Sequence, residues 1–385
     1  MKITDTVTYI GVNDHELDLF EGQYAVPNGM AYNSYIIEDK RVAVMDSVET
    51  RFGKQWLANI RAVLGDRPAD YLIVQHMEPD HSANIAAFME AYPNACVVAT
   101  QKAFAMMNQF FGTEFADRRI VAVEGGKLSL GQRELMFLTA PMVHWPEVMM
   151  VWDEKEQVFF SADAFGKFGA LDVEEDWACE ARRYYFGIVG KFGAAVQTVF
   201  RKMAGLDIKA ICPLHGPVLS ENIEYYIGKY QTWSTYAVED EGIVIACASI
   251  YGNTMKAANV LRDKLLAYGC PKVTLTDLAR DDWAEAVEDA FRYGTLVLAA
   301  SSYNGGVFPF MRQFIDHLME RNYQNRKIAL VENGTWAPTA AKTMMKLLEG
   351  GKNLTFAQNT VTIRSALNAQ SEAALDALAR ELCDL

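Results

Sequence analysis

Apolar positions in the second part of the chain recur with two alternating rhythms. Gly242-Ile-Val-Ile-Ala-Cys-Ala-Ser249 is a short apolar run, too short for a helix and rich in β-branched residues, which predicts a buried strand. Strand-like runs follow at Lys272–Leu278, Thr295–Ser302, Lys327–Asn333 and Thr360–Ile363. Helix-period stretches lie among them at Thr254–Tyr268, Trp283–Tyr293, Pro309–Arg321, Ala337–Leu348 and Ser371–Leu385. Buried strands alternating with helices predict a doubly wound, parallel five-stranded sheet. The earlier part has another texture. Hairpin-like strands are expected at Val7–Val12, Ala31–Glu38 and Arg41–Asp46, then a helix over Gln55–Leu64 and a strand at Tyr71–Val74. A second half repeats this style at Leu128–Phe137, Val148–Trp152 and Gln157–Ser161. Two β-rich halves with helices outside predict an αββα sandwich. The change of character between Tyr236 and Glu241 places the domain boundary at 1–240 and 241–385.

Length agrees, since 385 residues exceed what one core usually holds. The composition, 51% hydrophobic and 22% charged, is that of a packed protein rather than a disordered one. Net charge is −13, which disfavours nucleic acid and anionic membrane surfaces as partners. The acidity is uneven: residues 241–385 hold 15 basic and 16 acidic side chains, leaving 21 and 33 for the first 240. A solvated acidic surface is the main reading of that excess, with a share for carboxylates that neutralise bound cations. The start of the chain lacks a signal-peptide pattern, and no apolar stretch approaches the ~20 residues of a membrane span. No two of the six cysteines fall within twenty residues of each other, which excludes a local Cys-x-x-Cys cluster of the zinc-knuckle or rubredoxin kind. A cytoplasmic protein with reduced thiols is the expectation.

Candidate chemistry sits at strand ends. Gln75-His76-Met77-Glu78-Pro79-Asp80-His81 leaves the strand Tyr71–Val74 and packs four potential metal ligands into six positions, bent by Pro79. His144, Asp163 and His215 each follow an apolar run and precede turn residues, so several strands can present them at one sheet edge. The remaining histidines, His15 and His317, lack such a setting and are expected to be structural.

The spacing His76-x-Glu78-x-Asp80-His81, then His144, Asp163 and His215, resembles the metallo-β-lactamase superfamily, whose hydrolases carry His-x-His-x-Asp-His. Glu78 stands where a second histidine is usual. An oxygen-rich set suits iron or manganese better than zinc. Three carboxylates and four histidines match a di-iron ligand set.

In the second domain, Ala248-Ser249-Ile250-Tyr251-Gly252-Asn253-Thr254 joins the first strand to its helix. Hydroxyls and helix-opening amides form an anion site there, without the lysine of a phosphate-transfer loop. No Gly-x-Gly-x-x-Gly supports a dinucleotide. Ser301-Ser302-Tyr303-Asn304-Gly305-Gly306 and Asn333-Gly334-Thr335-Trp336-Ala337 also leave carboxyl ends of strands, where open sheets bind ligands. With Tyr303 and Trp336 available to stack on a ring, the three loops predict a flavin mononucleotide (FMN) site.

A di-metal β-lactamase-like domain followed by a flavodoxin-like domain resembles the flavodiiron proteins, or A-type flavoproteins, over essentially the whole chain. His144-Trp145-Pro146, Asp163-Ala-Phe-Gly166 and His215-Gly216-Pro217 carry that resemblance, which implies a metallo-β-lactamase-like fold followed by a flavodoxin-like one. It further implies His76, Glu78 and His144 on one iron, Asp80, His81 and His215 on the other, and Asp163 as the bridge. The implied activity is reduction of dioxygen to water, nitric oxide to nitrous oxide, or both, a detoxifying role in an anaerobe or microaerophile. Implied partners are rubredoxin, or reduced deazaflavin as a variant donor, and a second copy in a head-to-tail homodimer, itself able to pair into a dimer of dimers. The loop Asn333–Ala337 departs from the Gly-x-Tyr-Gly-Trp-like pattern of many members but keeps the tryptophan. No cysteine spacing suits an attached rubredoxin, so the minimal two-domain form is expected. Tyr32, Trp145 and Tyr185 are second-layer candidates beside the metals, with packing as their alternative. The competing readings are a zinc hydrolase fused to a flavin reductase, against which Glu78 argues, and an electron carrier with an inert first domain.

Overall fold

The computed structural model describes all residues, Met1–Leu385. Two compact units emerge, Met1–Ser234 and Thr235–Leu385.

The first unit holds, beside two short two-stranded sheets, two large ones. One contains β1 (Val7–Tyr9), β2 (Tyr35–Glu38), β3 (Val42–Met45), β4 (Tyr71–Ile73), β5 (Cys96–Ala99) and β6 (Arg119–Val121), in that spatial order. The other runs β7 (Lys127–Ser129), β8 (Glu134–Thr139), β9 (Met149–Asp153), β10 (Val158–Phe160) and β11 (Ala210–Cys212). Alternate side chains meet between the sheets: Tyr35, Ile37 and Met45 from one pack with Phe137, Val151 and Phe160 from the other. The opposite face of the first sheet is equally dry, with Ile36, Val44, Leu72 and Val97 buried. Helix Gly53–Leu64 buries Trp56, Ile60 and Leu64, and Trp56 meets Phe88 at 5.8 Å. The αββα sandwich is therefore present.

Strands come shorter than the apolar runs suggest. Val7–Val12 breaks at Gly11, where any Cβ would collide with the Tyr32 carbonyl and the Tyr9 ring. Ala31–Glu38 splits at Asn33-Ser34. The Asn33 amide donates to the carbonyls of Pro213 (2.9 Å) and Gly216 (2.7 Å), so this interruption holds the loop that carries His215.

The second unit is a parallel sheet of β12 (Asp240–Ala248), β13 (Val273–Asp277), β14 (Tyr293–Tyr303) and β15 (Lys327–Asn333), with its fifth position built from two short pieces, Thr355–Phe356 and Val361–Ile363. The order is 2-1-3-4-5, the doubly wound pattern with its switch point between the first and third strands. A short strand, Gly306–Val307, folds back antiparallel on β14. Ile243, Ile245, Val297, Ala299, Ala329 and Val331 form the core with Leu261 and Leu378 from the flanking helices.

Candidate metal centre and cofactor cleft

The loop after β4 is tied down before any ligand is placed. Asp46, at the end of β3 and fully buried, accepts hydrogen bonds from the Gln75 amide N (2.8 Å), Gln75 Nε2 (3.0 Å) and the His76 amide N (3.2 Å). Burial pushes its carboxyl up to about 7 even against these donors. Ser47 donates from both N and Oγ to the His81 carbonyl. A short helix, Pro79–Ser82, occupies the part of the motif expected to be loop, with proline at its first position.

On that frame the seven ligand candidates converge as two groups, His76/Glu78/His144/Asp163 and Asp80/His81/His215. His76 Nε2 lies 3.2 Å from Glu78 Oε2 and 3.3 Å from His144 Nε2. His144 Nε2 lies 3.0 Å from Glu78 Oε2 and 3.1 Å from Asp163 Oδ2. In the second group His81 Nε2 and His215 Nε2 are 3.0 Å apart, and Asp80 Oδ2 is 3.3 and 3.4 Å from them. Asp163 joins the groups, since its Oδ2 faces His76 and His144 while its Oδ1 is 3.4 Å from His81 Nε2.

The electrostatics follow from this crowding. Against the desolvation of burial, His76 and His144 hold the Asp163 carboxyl well below its usual range, and hydrogen bonds from His144 and His76 do the same to Glu78. Burial alone would lower the His144 imidazole, but bonds from Asp163 and Glu78 raise it to about 9. Burial lowers His81 to about 4, with Asp80 only partly offsetting it. Imidazole nitrogens facing each other at 3.0 and 3.3 Å, with both Asp80 oxygens and Asp163 Oδ1 buried without hydrogen-bond donors, form a set completed by cations. The oxygen-rich, thiolate-free donors fit iron.

Three neighbours complete the surroundings. Glu147, which the sequence pattern did not single out, accepts from His76 Nδ1 at 2.8 Å. Trp145 packs edge-on to His76 at 5.3 Å, and Tyr32 lies 6.0 Å from His215. Tyr185 is a correction: it packs with Phe186, Tyr230 and Trp233, while the adjacent Tyr184 lies 5.5 Å from His215. Adjacent residues on a helix point about 100° apart, so only one of this pair can face His215, and a π-turn over Tyr185–Val189 follows the helix Trp177–Tyr184. The Tyr184 hydroxyl is buried with no hydrogen-bond partner, and desolvation followed by the charges of Asp163, Glu78 and Asp80 raises it well above its ordinary value. His15 pairs with Asp172 at the surface, and His317 stacks on Trp283 at 3.9 Å.

The second unit carries a cleft of about 350 Å³ at the carboxyl ends of β12, β14 and β15. Ser249, Ile250, Tyr251, Asn253 and Thr254 line it from the first loop. Ser301, Ser302, Tyr303, Asn304 and Gly305 line it from the second, and Asn333 through Ala337 from the third. Thr339 and Ser365 also contribute. Gly252 and Gly306 shape the loops rather than line the cleft. Gly252 adopts φ +89° ahead of helix Asn253–Ala267, and its N–H donates to Ser249 Oγ at 3.1 Å. Thr254 Oγ1 and Ser301 Oγ are 2.9 Å apart. Tyr251 and Trp336 stand 94% and 86% exposed at the rim, poised to sandwich a planar ring. Neutral hydroxyls and a helix N-terminus fit a phosphate monoester, and the exposed aromatics fit the flavin ring.

Residues 30–216 match the family model described as ODP family beta lactamase. The chain is 28% identical over 377 residues to a nitric oxide reductase of Moorella thermoacetica, covering 94% of this chain and 93% of that one. Its fold superposes on rubredoxin oxygen:oxidoreductase from Desulfovibrio gigas with a TM-score of 0.93 at 23% identity, covering 100% and 98% of the two chains. It superposes on the flavodiiron protein from Giardia intestinalis with a TM-score of 0.91 at 22% identity, covering 100% and 97%.

Proposed function

We propose that this chain, which belongs to the flavodiiron protein family, is an oxidoreductase that takes electrons through FMN to a non-haem di-iron centre and reduces dioxygen to water, nitric oxide to nitrous oxide, or both. The observation that carries this reading is Asp163, whose two oxygens face different histidine groups. In it, 1–240 is the iron domain and 241–385 the FMN domain. His76, Glu78 and His144 would hold one iron and Asp80, His81 and His215 the other, with Asp163 between the two groups. Ser249–Thr254, Ser302–Gly306 and Asn333–Ala337 form the FMN site.

FMN would supply single electrons from a two-electron store, and the paired irons would supply the electrons and Lewis acidity that reduce the bound gas. The protein's own part is placement. Buried histidines and carboxylates set two ligand groups side by side with Asp163 between them, which would hold the two metals as neighbours. Buried Tyr32 and Tyr184, with half-buried Trp145, limit water around them. The unpartnered Tyr184 hydroxyl, held protonated by burial, offers a hydrogen-bond donor beside His215. Ser249, Thr254 and the helix N-terminus would anchor the phosphate, and Tyr251, Tyr303 and Trp336 line the same cleft for the ring.

Rubredoxin or a similar small carrier is the proposed donor, since a relative acts with it by name. A head-to-tail homodimer, cytoplasmic and free of nucleic acid, is the proposed assembly. No helix is long and apolar enough to cross a membrane. The direct test is to reduce the iron- and FMN-loaded protein anaerobically and mix it with dioxygen or nitric oxide in separate stopped-flow shots. Rapid flavin reoxidation by at least one gas supports the reading. Reoxidation no faster than that of free FMN, with either gas, refutes it.

A further inference from the structure

We propose that Glu147 is a positioning residue that makes the His76 metal position the tighter of the two, so that the pair fills in a fixed order. The inference rests on the di-metal reading above and concerns how the two positions differ.

Glu147 follows Trp145-Pro146 and is 2% exposed. Its Oε1 accepts from His76 Nδ1 at 2.8 Å and from the Met77 amide at 2.9 Å, while Thr100 Oγ1 donates to its carbonyl at 2.9 Å. The backbone is thus held by Thr100 and the carboxylate through Oε1, while Oε2 is buried without a partner. A carboxylate on Nδ1 keeps the proton there and leaves the Nε2 lone pair directed at the metal position, toward Glu78 and His144. It also makes the ring a stronger donor, because a charged acceptor polarises imidazole more than a neutral one.

The second group has no counterpart. His215 Nδ1 meets the neutral Ala31 carbonyl at 2.7 Å, and His81 Nδ1 is buried with no partner at all. Two positions with nearly matched inner ligands therefore differ in what stands behind them, a full negative charge against a backbone dipole and nothing. Outer partners of this kind are typically worth roughly 10–100-fold in metal affinity.

The test uses the full-length, FMN-loaded protein, freed of iron by chelation and titrated anaerobically with Fe(II). Wild type should bind in two steps, the first tighter. Glu147→Gln keeps the volume and an acceptor oxygen but removes the charge. It should weaken the first step roughly 10–100-fold and leave the second unchanged, while Glu147→Asp restores part of the loss. Far-UV circular dichroism and FMN content check that the variants fold. Wild type alone provides a second readout: one equivalent of ⁵⁷Fe(II) should give a single Mössbauer doublet, distinct from that of the second equivalent. Two equal binding steps, both doublets at one equivalent, or a Glu147→Gln loss shared by both steps would overturn the proposal. A capacity below two irons per chain would instead contradict the di-iron reading itself.

Discussion

Removing the metal should leave a protein whose stability falls from pH 6.5 toward alkaline pH, because His76, His144 and His215 are raised while only His81 of the four is lowered. His144 is raised from 6.5 to about 9 by Asp163 and Glu78, which outweigh burial. The folded state therefore holds this proton more tightly than the unfolded chain does. That stability is fully present below pH 6.5 and is lost as pH rises to about 9. At about 1.4 kcal/mol per tenfold, the loss is about 3 kcal/mol. His81 is lowered from 6.5 to about 4, chiefly by burial. Its contribution is present above pH 6.5 and disappears as pH falls toward 4, again by about 3 kcal/mol. Glu78 and Asp163, both held low, remove more as pH drops below their unfolded values of 4.5 and 3.8. A unit the size of Met1–Ser234 shifts its melting temperature roughly 2–4 °C per kcal/mol, so chelator-treated protein should melt roughly 6–12 °C lower at pH 9 than at pH 6.5. Tryptophan fluorescence can follow it, since Trp56, Trp145, Trp152, Trp177 and Trp233 lie in that unit. The alkaline limb should become shallower in His144→Gln, where His76 and His215 still contribute, and flatten in metal-loaded protein, where the metal replaces the protons. Equal melting at both pH values, or an unchanged limb in His144→Gln, would refute the assignment.

Tyr184→Phe should keep iron and FMN contents while slowing gas-driven reoxidation on the order of 100-fold, as loss of a positioned hydrogen-bond donor does; stopped-flow measures it. Thr254→Val removes a hydroxyl from the phosphate end of the cleft and should weaken FMN roughly 10–100-fold in a fluorescence titration, with iron binding untouched. Arg133→Met should cost about 3–5 kcal/mol in urea unfolding, because Arg133 Nη1 donates to buried Asp153 Oδ2 at 2.6 Å and that carboxylate would be left unpaired. FMN affinity should not change in that variant, since the second unit is intact.

Much of the site was readable because its chemistry is dense. Four ligands within His76–His81, and His144, Asp163 and His215 each after an apolar run, leave few alternatives once they are seen together. The three loops of the cleft were readable for a related reason, since parallel strands all end at one edge. Residues that act through single, distant contacts were not. Asp46 secures the loop at Gln75-His76 from nearly thirty positions away, and nothing local marks it. Glu147 is one acid among many until its oxygen is found on His76 Nδ1. Tyr184 and Tyr185 are indistinguishable until the helix phase that turns Tyr184 toward His215 is known. Strand lengths misled wherever one residue had a second duty, as at Gly11 and Asn33.

The central claim is a di-iron centre paired with FMN in one chain, and composition tests it most directly. Metal analysis, flavin release and ⁵⁷Fe Mössbauer spectroscopy on anaerobically purified protein should find two irons and one FMN per chain, with spectra of coupled high-spin irons in the oxidised form. Zinc in these positions, or a single uncoupled iron, would contradict the account.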